Sequence, residues 1–231
     1  MEKKLEVLFE DNHLLIVNKP AGLLSQGDRT GDESMLDIGK QYIKEKYKKP
    51  GDVFLGLVHR LDRPVSGVLL LARTSKALER LNASMREGTI KKTYWALTEK
   101  QPEELSGHLV HWLEKIESDN RVIAHREASP NRKKATLSYE MVQYIKGKCL
   151  LEVNPQTGRP HQIRVQLSKI GCPIIGDNKY GWKGKKNAQE IGLHARKLEF
   201  NHPVTKEAME IVAPVKNNPF IQAFMINAGQ R

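Results

Sequence analysis

Residues 59–67 read H-R-L-D-R-P-V-S-G, which sets Asp62 between the arginines Arg60 and Arg63. Neighbouring cations favour the ionised form of a carboxylate, so Asp62 is equipped to act as a nucleophile or a base at neutral pH. Acid and base neighbours in loops are ordinarily solvated pairs that contribute little. Here the segment lies between two apolar runs, residues 53–58 and 68–72, each the length of a buried strand. Asp62 is therefore expected on a short connection at the ends of interior strands, where open sheets place their reactive groups. Pro64 fixes the backbone, and Ser66 with Gly67 permits a tight turn.

A second concentration of functional side chains is N-P-Q-T-G-R-P-H-Q-I-R, residues 154–164, which carries Arg159, His161 and Arg164. Pro160 suits the first turn of a helix that runs to Ser168 or Ile170 and stops at Gly171. On that helix Ile163, Leu167 and Ile170 share one face, and His161, Arg164 and Ser168 share the opposite one. A solvated polar face is the ordinary explanation of such a pattern. His108 and His111 are three apart on an expected strand and so point to opposite faces. No other spacing of His, Cys or carboxylates suggests a metal site, and no Gly-rich nucleotide loop is present, so neither metal nor cofactor is predicted.

The elements that must hold these residues alternate between helix and strand. Residues 5–9 and 14–17 read as short strands, closed by N-K-P-A-G at 18–22. Ser34 with Asp37 forms a capping pair for a helix over 34–48, and Thr74 caps a second whose apolar side is Ala77, Leu78, Leu81 and Met85, ending before Gly88. Residues 90–98 alternate as a strand, with Tyr94 and Ala96 on one face and Trp95 and Leu97 on the other. Further strands are expected near 107–112, 121–125, 135–145 and 148–153, with Asp119 and Asn120 in a hairpin turn.

Length and charge bound the partner. The 231 residues suffice for a substantial core, and no linker-like stretch divides them, so one domain is expected over residues 1–231. Lys+Arg number 38 against 27 Asp+Glu, a formal charge of +11, which favours a polyanionic partner. Cationic clusters recur at 44–49, 91–92, 132–134 and 183–186. Cys149 and Cys172 form no C-x-x-C pair and suit a reducing compartment. The first residues lack an apolar signal core and no apolar run reaches spanning length, so a soluble cytoplasmic protein is expected.

Residues 59–72 resemble the H-R-L-D-x-x-[TS]-S-G-x-[LV]-[LV]-x-A signature of the RluA-type pseudouridine synthases, with Asp62 on the catalytic aspartate and Val65 where threonine is most frequent. The resemblance extends in order through N-K-P-A-G at 18–22, K-T-Y-W-A at 92–96, T-G-R-P-H-Q-I-R at 157–164, G-D-N-K-Y-G at 176–181, and L-H-A at 193–195 with L-E-F-N-H-P at 198–203. It spans about residues 12–214 and places the chain with the short members that lack an extra N-terminal RNA-binding domain. Gln166 stands where the family frequently has histidine.

The resemblance implies an α+β catalytic domain with a mixed, mainly antiparallel sheet, helices packed on it and a central basic cleft. It implies an isomerase that converts specific uridines of ribosomal or transfer RNA to pseudouridine without a cofactor. Asp62 would be catalytic, Tyr94 would contact the target base and Arg164 would pair with Asp62. Arg60, Arg159 and His161 would bind the RNA, the last two at phosphate or sugar near a helix N-terminus, and Leu193 would line the base pocket. A monomer with RNA as partner, no membrane and no obligate protein partner is expected. A glycosidic hydrolase would need two carboxylates across the bond, and Asp52 and Glu79, the nearest in sequence, are not obviously placed for it. A non-catalytic RNA-binding module is the alternative from another class.

Overall fold

The computed structural model describes residues 5–185 and 189–229. Lys186, the last lysine of the 183–186 cluster, lies outside the described residues. The chain runs β1 (Val7–Glu10), β2 (Leu14–Lys19), α1 (Met35–Lys46), β3 (Gly56–Leu57), β4 (Ser66–Ala72), α2 (Ser75–Glu87), β5 (Lys91–Thr98), β6 (Ser106–Ile116) and β7 (Arg121–His125). It continues through β8 (Lys133–Ile145), β9 (Lys148–Pro155), α3 (Gln162–Lys169), β10 (Leu193–Asn201), β11 (Ala208–Val212) and α4 (Pro219–Asn227). It gathers into two compact units, one of residues 1–91 with 195–217 and the other of residues 92–194 with 218–231.

In the first unit the apolar runs without alternation become strands covered on both faces. β2 and β4 pair antiparallel and every residue of both is buried. Leu14, Ile16, Val68 and Leu70 meet Ala77 and Leu81 of α2 in one core, each large aliphatic side chain contributing about 1.5–3 kcal/mol. The capping pair forms as the sequence implies: Ser34 accepts from Asp37 N–H, and the Asp37 carboxylate accepts from Ser34 N–H. Thr74 caps α2, and Gly88 ends it in the left-handed conformation.

Two expectations for this unit fail. The apolar run 53–58 yields only the two-residue β3, with Phe54 49% exposed. Beyond β3, Val58 N–H still donates to the Leu70 carbonyl at 3.2 Å, but the His59 imidazole, through Nε2, accepts Leu70 N–H at 3.1 Å in place of a strand carbonyl. Ser66 and Gly67 belong to β4 and not to the turn, which instead closes from Val65 N–H to the Asp62 carbonyl at 3.0 Å. Gly67 is required for a different reason: its φ is +116° and a Cβ there would lie 2.2 Å from the Ala195 carbonyl oxygen of β10.

In the second unit five antiparallel strands lie in the order β5-β9-β8-β6-β7. His108 is exposed and His111 buried on β6, the opposite faces that the spacing requires. Helix α3 departs from expectation. It begins at Gln162, with Pro160 outside it and His161 at the N-cap in the left-handed region at φ +51°. All six residues from Gln162 to Leu167 are buried, so there is no solvated face, and Arg164 and Gln166 are interior. Gln166 donates to His111 Nδ1 at 3.1 Å and fixes the helix against β6. Cys149 and Cys172 are both free and buried. Helices packed with mainly antiparallel strands make the α+β class. Among the described residues no helix is long and apolar enough to cross a membrane.

Candidate active site

The Asp62 turn is held through its backbone. Ser25 Oγ donates to the Leu61 carbonyl at 2.8 Å and accepts Leu61 N–H at 3.0 Å, so one hydroxyl satisfies both polar groups of the residue before the acid. Gly22 N–H donates to the Arg63 carbonyl at 2.8 Å, and Arg63 Nε returns a bond to the Gly22 carbonyl at 3.0 Å. Lys19 is fully buried, and its Nζ donates to the carbonyls of Pro20, Leu23 and Arg63 at 3.0, 2.6 and 3.2 Å. Three N–H groups of an ammonium thus meet three carbonyls drawn from both loops. Burial pulls the Lys19 pKa down to about 7, against an opposing attraction from the Asp62 charge.

The electrostatic surroundings of Asp62 differ from the sequence picture. Arg63 is drawn to Gly22 and to Asp32, 2.8 Å from its Nη1, and Arg60 is exposed. The charge of Asp62 is felt at Lys19, a buried cation that sequence reasoning missed. The signal was the N-K-P-A-G string, recognised as a motif without a role for its lysine. Asp62 itself is half-buried on an immobilised backbone.

The second unit carries Tyr94, Arg159, His161, Arg164 and Leu193. Tyr94 is half-buried on β5 opposite Val153, while Trp95 faces the other way opposite Glu152. The loop before α3 folds onto Gln162, whose Oε1 accepts from Thr157 Oγ1 at 2.7 Å and from Arg159 N–H at 3.0 Å, while its Nε2 donates to the Thr136 carbonyl. Arg159 is exposed, its Nε on the Lys134 carbonyl, and Leu193 is buried at the start of β10.

Arg164 is 6% exposed and forms a two-point ion pair with Asp177, Nε to Oδ2 at 2.7 Å and Nη2 to Oδ1 at 2.9 Å. Its Cζ lies 5.0 Å from the centre of the Tyr180 ring. The Tyr180 hydroxyl accepts Val122 N–H at 3.0 Å and bonds His161 Nδ1 at 2.6 Å. His161, left-handed at the N-cap and making no side-chain cap bond, thus has its ring engaged by Tyr180. Asp177 and Tyr180 were not singled out from the sequence, although G-D-N-K-Y-G carries both.

The positive clusters are only in part free surface. Lys46 is engaged by Glu10 at 2.6 Å, Glu10 also holds Arg73 at 3.1 Å, and Arg132 lies 3.3 Å from Glu114. Lys133 and Lys134 are exposed at the start of β8.

Residues 13–169 match the family model described as RNA pseudouridylate synthase. A ribosomal large subunit pseudouridine synthase C of Vibrio parahaemolyticus is 35% identical over 223 residues, covering 91% of this chain and 66% of its own length. The chain thus spans just under two thirds of that relative. An uncharacterized RNA pseudouridine synthase of Zymomonas mobilis is 37% identical over 210 residues, covering 87% of this chain and 92% of the relative. The solved structure of human RNA pseudouridylate synthase domain containing 4 superposes with a TM-score of 0.78 at 25% identity, covering 96% of this chain and 92% of that one.

Proposed function

Because the chain belongs to the RNA pseudouridylate synthase family, we propose that it isomerises uridine in RNA to pseudouridine, with Asp62 as the catalytic aspartate. In this reaction the bond from N1 to C1′ breaks, the base turns, C5 joins C1′, the C5 proton leaves and N1 gains one. No group is lost and nothing is oxidised. Asp62 acts on the flipped nucleotide either as a nucleophile or as the base that removes the C2′ proton.

The observation that carries the reading is the way the Asp62 turn is built. A half-buried carboxylate stands on a backbone fixed by Ser25, Lys19 and Gly22, an arrangement that supports chemistry requiring one fixed direction of attack. Tyr94 is assigned to stack on the target base, an interaction of about 1–3 kcal/mol. The role of cation partner to Asp62 that the resemblance gives Arg164 is retained as part of the proposal. Arg60, Arg159, His161 and Leu193 complete the binding set. The substrate is ribosomal or transfer RNA, and the names of the relatives favour ribosomal RNA. A formal charge of +11 supports a polyanion as partner. Two free cysteines suit the cytoplasm, where the chain is expected to act as a monomer.

Asp62→Asn should lower pseudouridine formation by at least ~1000-fold while RNA affinity stays within about threefold, measured by tritium release from RNA labelled at uridine C5 and by filter binding. Substantial residual turnover would refute the assignment. Affinity without conversion in the unaltered protein would favour the non-catalytic RNA-binding module, and free uracil as product would favour a hydrolase. Mapping pseudouridines in cells with and without the gene identifies the RNA.

A further inference from the structure

We propose that Asp177 and Tyr180 are positioning residues for the isomerisation, acting through Arg164 and His161. The proposal rests on the role assigned to Arg164 above. A guanidinium is a planar fork, and a carboxylate that takes both Nε–H and one Nη2–H holds it along a single edge. With Asp177 at 2.7 and 2.9 Å on that edge, the group cannot turn in its own plane, and its Nη1 edge has one direction. The Tyr180 ring, 5.0 Å from Cζ, supports the guanidinium from one face and limits its tilt. Two contacts of different kinds therefore fix two different rotations.

Tyr180 is itself secured at three points. Its hydroxyl accepts Val122 N–H at 3.0 Å and bonds His161 Nδ1 at 2.6 Å, and its carbonyl accepts Ser168 Oγ at 2.5 Å. The hydroxyl thus joins the β7 backbone to the His161 ring and fixes where that ring lies. Asp177 and Tyr180 belong to one short turn, joined by Tyr180 N–H on the Asp177 carbonyl at 3.1 Å. A single turn thus sets two α3 side chains that the proposed reaction uses. Lys179 extends the same turn to the β6–β7 hairpin, its Nζ donating to the carbonyls of Asp119 and Asn120 at 3.1 and 2.7 Å.

If Asp177 served only to allow an arginine to be buried, its loss would cost stability and leave turnover per folded molecule alone. Steady-state kinetics of Asp177→Asn, Tyr180→Phe, Arg164→Lys and the Asp177→Asn/Arg164→Lys double variant on labelled RNA separate the two. Asp177→Asn should lower kcat ~100-fold per folded molecule with KM within about twofold, the scale of a misdirected group. Tyr180→Phe keeps the ring and should lower kcat roughly fivefold, about the worth of one hydrogen bond. In the Arg164→Lys background Asp177→Asn should cost less than about threefold more, since lysine has no edge to direct. Unchanged kcat in Asp177→Asn, or its full factor again on top of Arg164→Lys, overturns the proposal. Wild-type kcat in Arg164→Lys alone overturns the assignment of Arg164 and the proposal with it, a result read independently of Asp177. Where Asp177→Asn fails to fold, Tyr180→Phe decides, and unchanged kcat there overturns the proposal.

Discussion

The Asp62 turn and the Arg164 platform are both rigid, yet they are made rigid by different means. Around Asp62 the anchoring contacts reach main-chain groups: Ser25 brackets Leu61, Lys19 gathers three carbonyls and Gly22 exchanges bonds with Arg63. Around Arg164 they run from side chain to side chain, through Asp177, Tyr180 and His161. A turn held by its backbone aims whatever side chain it carries, so a substitution of Asp62 is expected to change the chemistry and spare the geometry. A side chain held by other side chains has its geometry only as long as each partner is present. The Asp62→Asn and Asp177→Asn outcomes given above are the two ends of this contrast.

Gly67→Ala forces a Cβ to within 2.2 Å of the Ala195 carbonyl at a φ of +116°, so β4 and β10 must separate. It should destabilise by more than about 4 kcal/mol, measured by urea denaturation, with no folded protein at 37 °C. Lys19→Met removes the donor from three carbonyls and should lower kcat by roughly tenfold with little change in RNA affinity, provided the turn aims Asp62 through its backbone. An equal loss of affinity would place Lys19 on the RNA side instead.

The same lysine gives a pH signature. Its folded pKa of about 7 lies below the ordinary 10.5, so between these values the unfolded chain holds a proton that the folded one has released. Stability from this group therefore rises with pH from about 7 toward 10.5 and is constant below about 7. Denaturation midpoints of the wild type should rise over that window relative to Lys19→Met, which lacks the component. Ser25→Ala is the smallest case, costing about 1–2 kcal/mol and a few-fold in kcat, because Gly22 and Lys19 still hold the Arg63 side of the turn.

What the sequence made legible is what neighbours in sequence decide. Ser34 with Asp37, Thr74 and Gly88 act within one turn of helix, so their roles could be read directly. The apolar cores of two buried strands, 14–17 and 68–72, announced themselves by lacking alternation, while the polar residues that extend them to Lys19 and back to Ser66 did not. What was not legible depends on distant partners. The polar periodicity of α3 did not reveal what holds its buried side chains, because Asp177 comes 13 positions after Arg164 and His111 comes 55 before Gln166. The run 53–58 looked like a whole strand, and nothing local says that the His59 ring will take the Leu70 N–H at its end. Lys19 was given no role, because a buried ammonium is justified only by carbonyls that the fold collects.

The two native thiols bear on how the protein can be observed in solution. Burial pushes Cys149 up to about 11 and raises Cys172 as well. At pH 7 only about one Cys149 in ten thousand is thiolate. A maleimide dye will pass both by. Cysteines introduced at exposed sites, Lys48 in the first unit and Ile226 in the second, could be coupled to a donor and an acceptor without removing a native residue. Energy transfer between them would report on the protein's response as RNA is added.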